Sequence, residues 1–357
     1  MSEKIKLGEL GEIVSGSTPK TNIKEYWDGE ILWITPAEIQ EDDYYIADTQ
    51  RRITDLAVEK TNLKLLPKGT VLLSSRAPIG KVAICDNDMY CNQGFKNIIC
   101  SDRLENRYVY YFLKHNIEYI KSLGRGATFK EISKGIVEKL EIPYREKKEQ
   151  IEIANKLDKI TEILKIRKQQ IKQFDEIIKS QFVEMFENEN YEKLSGKELF
   201  SFSSGKFLEA SKRLEQGVPV YGGNGIAWYT DKPLIDFNTI VIGRVGAYCG
   251  NVKLIKEPVW ITDNAIFIKQ FKKDVYNIDF LYYMMELIDF SRFAQFSGQP
   301  KITQKPLEEF NYVLPPIELQ NQFANIVKQI DKQKFEIENS LKKTQELYES
   351  LMEKYFG

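Results

Sequence analysis

Two long helical patterns lie about 170 residues apart, and each closes the same run of features. In the first half, Gly124-Arg125-Gly126 leads to Leu140-Glu141-Ile142-Pro143 and then to Glu149-Gln150-Ile151. In the second, Gly298-Gln299-Pro300-Lys301-Ile302 leads to Tyr312-Val313-Leu314-Pro315-Pro316 and then to Leu319-Gln320-Asn321. A glycine turn, a short apolar strand ending in proline and a long helix therefore recur in one order. The spacing is too long for a solenoid repeat and suits a tandem domain.

Each long helix carries a seam with alternating steps of four and three residues. The first seam is Ile153, Leu157, Ile160, Leu164, Ile171, Phe174, Ile178 and Met185, interrupted by Arg167 and Gln181. The second is Phe323, Val327, Ile330, Ile337, Leu341, Tyr348, Leu351 and Tyr355, interrupted by Lys334 and Thr344. Neither stretch contains proline or glycine, so nothing breaks it. A seven-residue repeat asks for a partner helix, and polar interruptions fix register and partner. Apolar residues off the seam (Ile163, Ile166, Ile177, Phe182) either pack on the globular parts or dock another subunit. Some 35 helical residues span roughly 50 Å. Two such helices pairing antiparallel would hold two globular heads a fixed distance apart.

The heads have α+β or α/β character. Residues 69–84 and 238–255 alternate apolar, β-branched and glycine residues as strands do, and 107–120 and 279–293 have helical spacing rich in aromatics. The expected architecture is an internal pseudo-twofold repeat, with heads at 1–146 and 191–316 and a pair of long antiparallel coiled-coil helices at 147–190 and 317–357.

Composition narrows the chemistry. The chain has 357 residues, 42% hydrophobic and 29% charged, as an ordinary globular protein has. The start MSEKIKLGEL has no signal-peptide core, and no apolar run reaches the roughly 18 residues of a membrane span, so a cytoplasmic location is expected. Cys85, Cys91, Cys100 and Cys249 lack the paired spacing of a zinc site, and three of them lie in strand-like apolar surroundings, where free cysteine behaves as a small hydrophobe. The net charge of −1 neither announces nor excludes nucleic-acid binding, since acidic helices can mask basic surfaces. His115 is the single histidine, which excludes two-histidine sites and disfavours a Ser-His-Asp triad. A G-x-x-x-x-G-K-[ST] phosphate loop is missing, and Gly222-Gly223-Asn224-Gly225 lacks the surroundings of a dinucleotide site. The sequence carries neither an Asn-Pro-Pro-Tyr-type methyltransferase motif nor the Pro-Asp opening of a nuclease site. Binding is favoured over catalysis, with no catalytic, cofactor or metal residues expected.

Candidate DNA contacts fall in clusters. In the first head they are Ser17, Thr18 and Lys20 in a Thr-Pro loop, Arg76 and Lys81 around a turn, and Arg125, Thr128 and Lys130 among flexible glycines, with Glu131 the one acid between Lys121 and Lys134. In the second they are Tyr221 and Asn224, Arg244 and Tyr248, and Gln299 and Lys301. Hydroxyls and lysines suit phosphates and base edges, arginine and asparagine pair bidentately with guanine and adenine, and glycine permits close backbone approach. Arg76 and Arg244, each ending a strand, are expected to be equivalent, and the Thr-Pro loop to have no counterpart in the second head.

These residues carry a family resemblance across essentially the whole chain. Gly16-Ser17-Thr18-Pro19 through Tyr26-Trp27-Asp28-Gly29 to Leu32-Trp33-Ile34 resembles the opening of a target-recognition domain in Type I restriction-modification specificity subunits. So does Pro219-Val220-Tyr221-Gly222-Gly223-Asn224-Gly225-Ile226, and so do the proline-then-glutamine approaches to the long helices. Tyr144-Arg145 departs from the family, where a second proline often follows. The resemblance implies a non-catalytic subunit in which two target-recognition domains read the halves of a split, asymmetric double-stranded DNA site. It implies that the helices set the spacer and bind two methyltransferase subunits using S-adenosylmethionine, and that restriction (motor-nuclease) subunits using ATP and Mg join them. The alternatives are a specificity partner of a modification-only or Type II system, a stand-alone DNA methyltransferase or nuclease, and a scaffold without DNA function.

Overall fold

The computed structural model describes residues 3–126, 130–187, 190–295 and 299–357. The chain divides into two compact units, one of residues 1–168 with 339–357 and the other of 169–338. The dividing points fall inside the long helices, which run Lys147–Phe182 and Ile317–Phe356. Each unit thus owns a head and half of each helix, where the sequence suggested helices standing as separate segments.

The first unit holds a five-stranded sheet in the order Gly11–Ser15, Lys96–Cys100, Val71–Ser75, Ile79–Cys85, Tyr45–Ile46. A three-stranded sheet (Arg51–Ile53, Trp27–Ile34, Tyr90–Cys91) completes the head. The pairings are antiparallel except for two short parallel contacts, so the head is α+β. Helix Asn106–His115 buries Tyr108 through Leu113 against the larger sheet. The same core takes in Ile153 and Leu157 from the first long helix and Met352 and Phe356 from the second.

The second unit repeats the plan with a four-stranded sheet (Phe200–Ser204, Ala265–Phe271, Thr239–Gly243, Val252–Ile255) and a three-stranded one (Gly225–Thr230, Val218–Gly222, Trp260–Ile261). Helix Ile278–Leu287 stands where Asn106–His115 does in the first unit. Its core takes in Phe323 and Val327 from the second long helix, Ile178 and Phe182 from the first, and Phe186 from the π-helical turn Val183–Glu187 that continues the first. Ile178, Phe182 and Phe186 are the sequence counterparts of Tyr348, Met352 and Phe356, so the duplication extends to how each helix end packs.

Within each unit the helix segments run antiparallel. In the first, Arg167 Nη1 donates to Ser340 O at 3.0 Å and to the Thr344 hydroxyl, while Arg145 lies over the Tyr355 ring. In the second, Lys334 Nζ meets Asp175 Oδ1 at 2.6 Å and Phe182 packs on Phe323. Every expected seam residue is at least half-buried, whereas Ile163, Ile166 and Ile177 are exposed. Phe182 is buried on the head. The seam's outer ends serve the heads, leaving its middle for helix contact, and three of its four polar interruptions, Arg167, Lys334 and Thr344, find partners there.

Candidate nucleic-acid interface

In both heads several of the candidate residues gather around one short segment that leads into a central strand. In the second head this is Ile261–Ala265. Arg244 N donates to Asn264 O at 2.9 Å, Thr262 N to Tyr221 O at 2.9 Å and Gly205 N to Ala265 O at 3.1 Å. Arg244 Nη1 reaches Asp263 O at 3.2 Å, and Ile302 N closes onto Arg244 O at 2.9 Å, which brings the exposed Lys301 alongside Val245. Gly223 lies against Asn264 and Val245. Arg244 Nε and Thr262 Oγ1 are buried without a protein partner.

The first head builds the same frame on Cys91–Phe95. Ser75 N donates to Gly94 O at 2.7 Å, Asn92 N to Ile34 O at 3.1 Å and Ser17 N to Cys91 O at 2.9 Å, and Ile132 N closes onto Ser75 O at 3.0 Å. The Thr18 hydroxyl pairs with the Gln93 side chain. Lys81 Nζ donates to Pro36 O at 2.9 Å. Arg125 exchanges both backbone hydrogen bonds with Glu131, and Lys20 and Lys130 are exposed. Thr128 lies outside the described residues.

The frame corrects two sequence expectations. Arg244 matches Ser75, and Arg76 matches Val245, because buried Ile132 and Ile302 set the register. Aligning arginine on arginine was one residue out, which in a strand reverses the side-chain face. The Thr-Pro loop also has a counterpart. Gly16 and Gly205 each press so close to the central segment that a Cβ would lie 1.9 Å from Asn92 O or 2.2 Å from Thr262 O. Lys206 N then bonds Ile261 O at 2.8 Å as Ser17 N bonds Cys91 O, and Pro19 and Leu208 are both buried.

The two heads dress this frame differently. In the first, Lys96 is buried and bonds Ser75 Oγ at 3.2 Å and Glu131 Oε1 at 3.1 Å, while Arg76 lies 3.7 Å from Glu131. In the second, buried Ile266 replaces Lys96 and Lys301 replaces Glu131, so an acid becomes a base at a matched position. Of the remaining candidates, Asn224, Tyr248 and Gln299 are exposed. Tyr221 is half-buried against the apolar cluster of Ile235, Val241 and Ile261 and lines a groove of about 780 Å³; burial pushes its hydroxyl pKa up. Sequence reasoning missed Gln93, Lys96, Lys206, Phe207 and Thr262–Asn264. For Gln93 and Thr262–Asn264 the signal was present in the matched runs Tyr90-Cys91-Asn92-Gln93-Gly94 and Trp260-Ile261-Thr262-Asp263-Asn264, each an aromatic-apolar pair followed by polar residues or glycine.

Among the described residues no cluster of histidine, cysteine or carboxylates is placed to hold a metal, and no helix is long and apolar enough to cross a membrane. The sequence profile of the Type I restriction modification DNA specificity domain matches twice, over residues 2–174 and 188–347. The chain belongs to this family. The two matched ranges each contain one of the two heads that repeat the same backbone hydrogen bonds. Among relatives, the MjaIX specificity subunit of Methanocaldococcus jannaschii is 42% identical over 186 residues, covering 51% of this chain and 42% of that protein. The EcoprrI specificity subunit of Escherichia coli is 26% identical over 358 residues, covering 92% of this chain and 87% of that one. The crystal structure of the S subunit of the Type I system of M. genitalium shares the fold at a TM-score of 0.68 and 22% identity, covering 100% of this chain and 96% of its own. A chain from a structure of Type I complex assembly and conformational transition has a TM-score of 0.63 at 15% identity, covering 99% and 97%.

Proposed function

We propose that this chain is the non-catalytic specificity subunit of a Type I restriction-modification complex, and that its two heads each read one half of a split DNA site. The observation that carries the reading is one loop frame built twice with different side chains. A repeated frame gives two heads the same approach to a duplex, and altered side chains give them different base preferences. Arg244 and Lys301 in the second head, and Arg76, Arg125 and Lys130 in the first, supply phosphate and base-edge donors.

The paired long helices set the unread gap between the half-sites. The exposed Ile163, Ile166 and Ile177 offer apolar contacts to the methyltransferase subunits, two per complex. Those partners bring S-adenosylmethionine, and restriction subunits bring ATP and Mg; this chain contributes recognition and holds no cofactor. A cytoplasmic location follows from that role.

Methylome sequencing of cells making this chain with its methyltransferase partner tests the reading. A split adenine-methylated motif is expected; a contiguous motif, or none, overturns it.

A further inference from the structure

Phe207 is 68% exposed, the most exposed large apolar side chain among the described residues. Leaving such a ring in water forgoes the stabilisation that burial gives, so folding does not account for it. Its backbone is firmly held. Gly205 and Lys206 are bonded to Ala265 O and Ile261 O, Trp260 Nε1 donates to Lys206 O at 2.9 Å, and Leu208 is 2% exposed. In the first head the matched position carries Thr18, whose hydroxyl is engaged by Gln93. One frame therefore presents a polar group in one head and a bare aromatic ring in the other. The segment that anchors Phe207 also anchors Arg244, and exposed Lys206 precedes the ring, with exposed Glu209 and Asp263 in the same two stretches.

We propose that Phe207 is a specificity-determining residue of the second head that packs on the C5-methyl group of a thymine in the second half-site. The thymine methyl is the apolar feature of the major-groove edge, and phenylalanine is a side chain that makes apolar contact with it. This rests on the reading of the chain as a DNA specificity subunit.

The test uses the full chain assembled with its methyltransferase subunits and a random duplex library. The wild-type complex selects a split site with a thymine in its second half, and Phe207→Ala removes that thymine preference while the first half is unchanged. Replacing this thymine by deoxyuracil weakens wild-type binding several-fold, on the order of three- to fivefold, and leaves Phe207→Ala binding unaltered. An unchanged second half-site in Phe207→Ala overturns the proposal. So does an affinity loss shared by all sequences, which marks a wedge between base steps, and so does weakened subunit assembly with an intact motif, which marks a protein contact. If the wild-type complex selects no split site, the parent reading fails and this inference with it.

Discussion

Gln150 and Gln320 make the same three hydrogen bonds in the two units, each from a fully buried side chain. Each Oε1 accepts from the amide that starts the head's helix, Glu105 N at 2.8 Å and Asn277 N at 2.9 Å. Each Nε2 donates to two carbonyls, of Arg103 and Arg145 at 2.9 and 2.8 Å, and of Val275 and Pro315 at 3.0 and 2.9 Å. One amide thus locks the start of each long helix to the helix of its own head. Gln320→Leu strands three buried backbone groups, and each such loss costs about 1–3 kcal/mol. Urea unfolding should show a loss of at least about 2 kcal/mol, and a change below about 0.5 kcal/mol contradicts the lock.

Phe186 and Phe356 are matched aromatic ends, 3% exposed each, packed into the cores of the second and first units. Truncating either to alanine removes a buried ring, at about 3–5 kcal/mol. Phe356→Ala should raise hydrogen exchange in the first unit and Phe186→Ala in the second. Equal effects in both units from either change would contradict the division of the helix ends.

Among the described residues, Glu131 is the one carboxylate bonded to buried Lys96. Glu131→Gln removes the countercharge from a largely buried cation, and losing one partner of such a pair costs up to about 3–5 kcal/mol. Glu131 is partly exposed, so solvent screening places the expected loss nearer about 1–2 kcal/mol. Lys96→Met in the same chain should recover it, because Ile266 fills the matched place in the second head. Failure of that rescue rejects the assignment.

Burial pushes the thiols of Cys91 and Cys100 up to about 12. The folded state therefore favours the protonated form. Its contribution is complete below the ordinary cysteine value of about 8.5 and is lost as pH rises toward the folded value. Thermal midpoints should fall progressively above about pH 9. Iodoacetamide at pH 8.5 should label buried Cys91 far more slowly in the native protein than in urea; equal rates contradict its burial.

The long helices were legible because a seven-residue repeat is local information, readable without knowing what the seam meets. The clusters around Ser17, Arg76 and Arg244 were legible as types of residue, since glycine beside cations and hydroxyls has a physical meaning on its own. The match of Arg244 to Ser75 was not, because register is set by hydrogen bonds to Ile132 and Ile302, some 60 residues away along the chain. Phe207 was invisible for a similar reason: an exposed aromatic looks like a core residue until its neighbours are placed. Asp158, which accepts from Tyr44 and Tyr111 at 2.6 and 2.7 Å and from Arg107 at 2.7 Å, read as one more surface acid on a helix.

If the heads read two half-sites across a gap set by the shared helices, that gap must follow helix length. Seven residues inserted into each long helix, preserving the seam, add about 10 Å. Selection of bound duplexes by the assembled complex should then return both original half-sites with more base pairs between them. Recovery of the original gap by a folded, assembled variant would contradict the account.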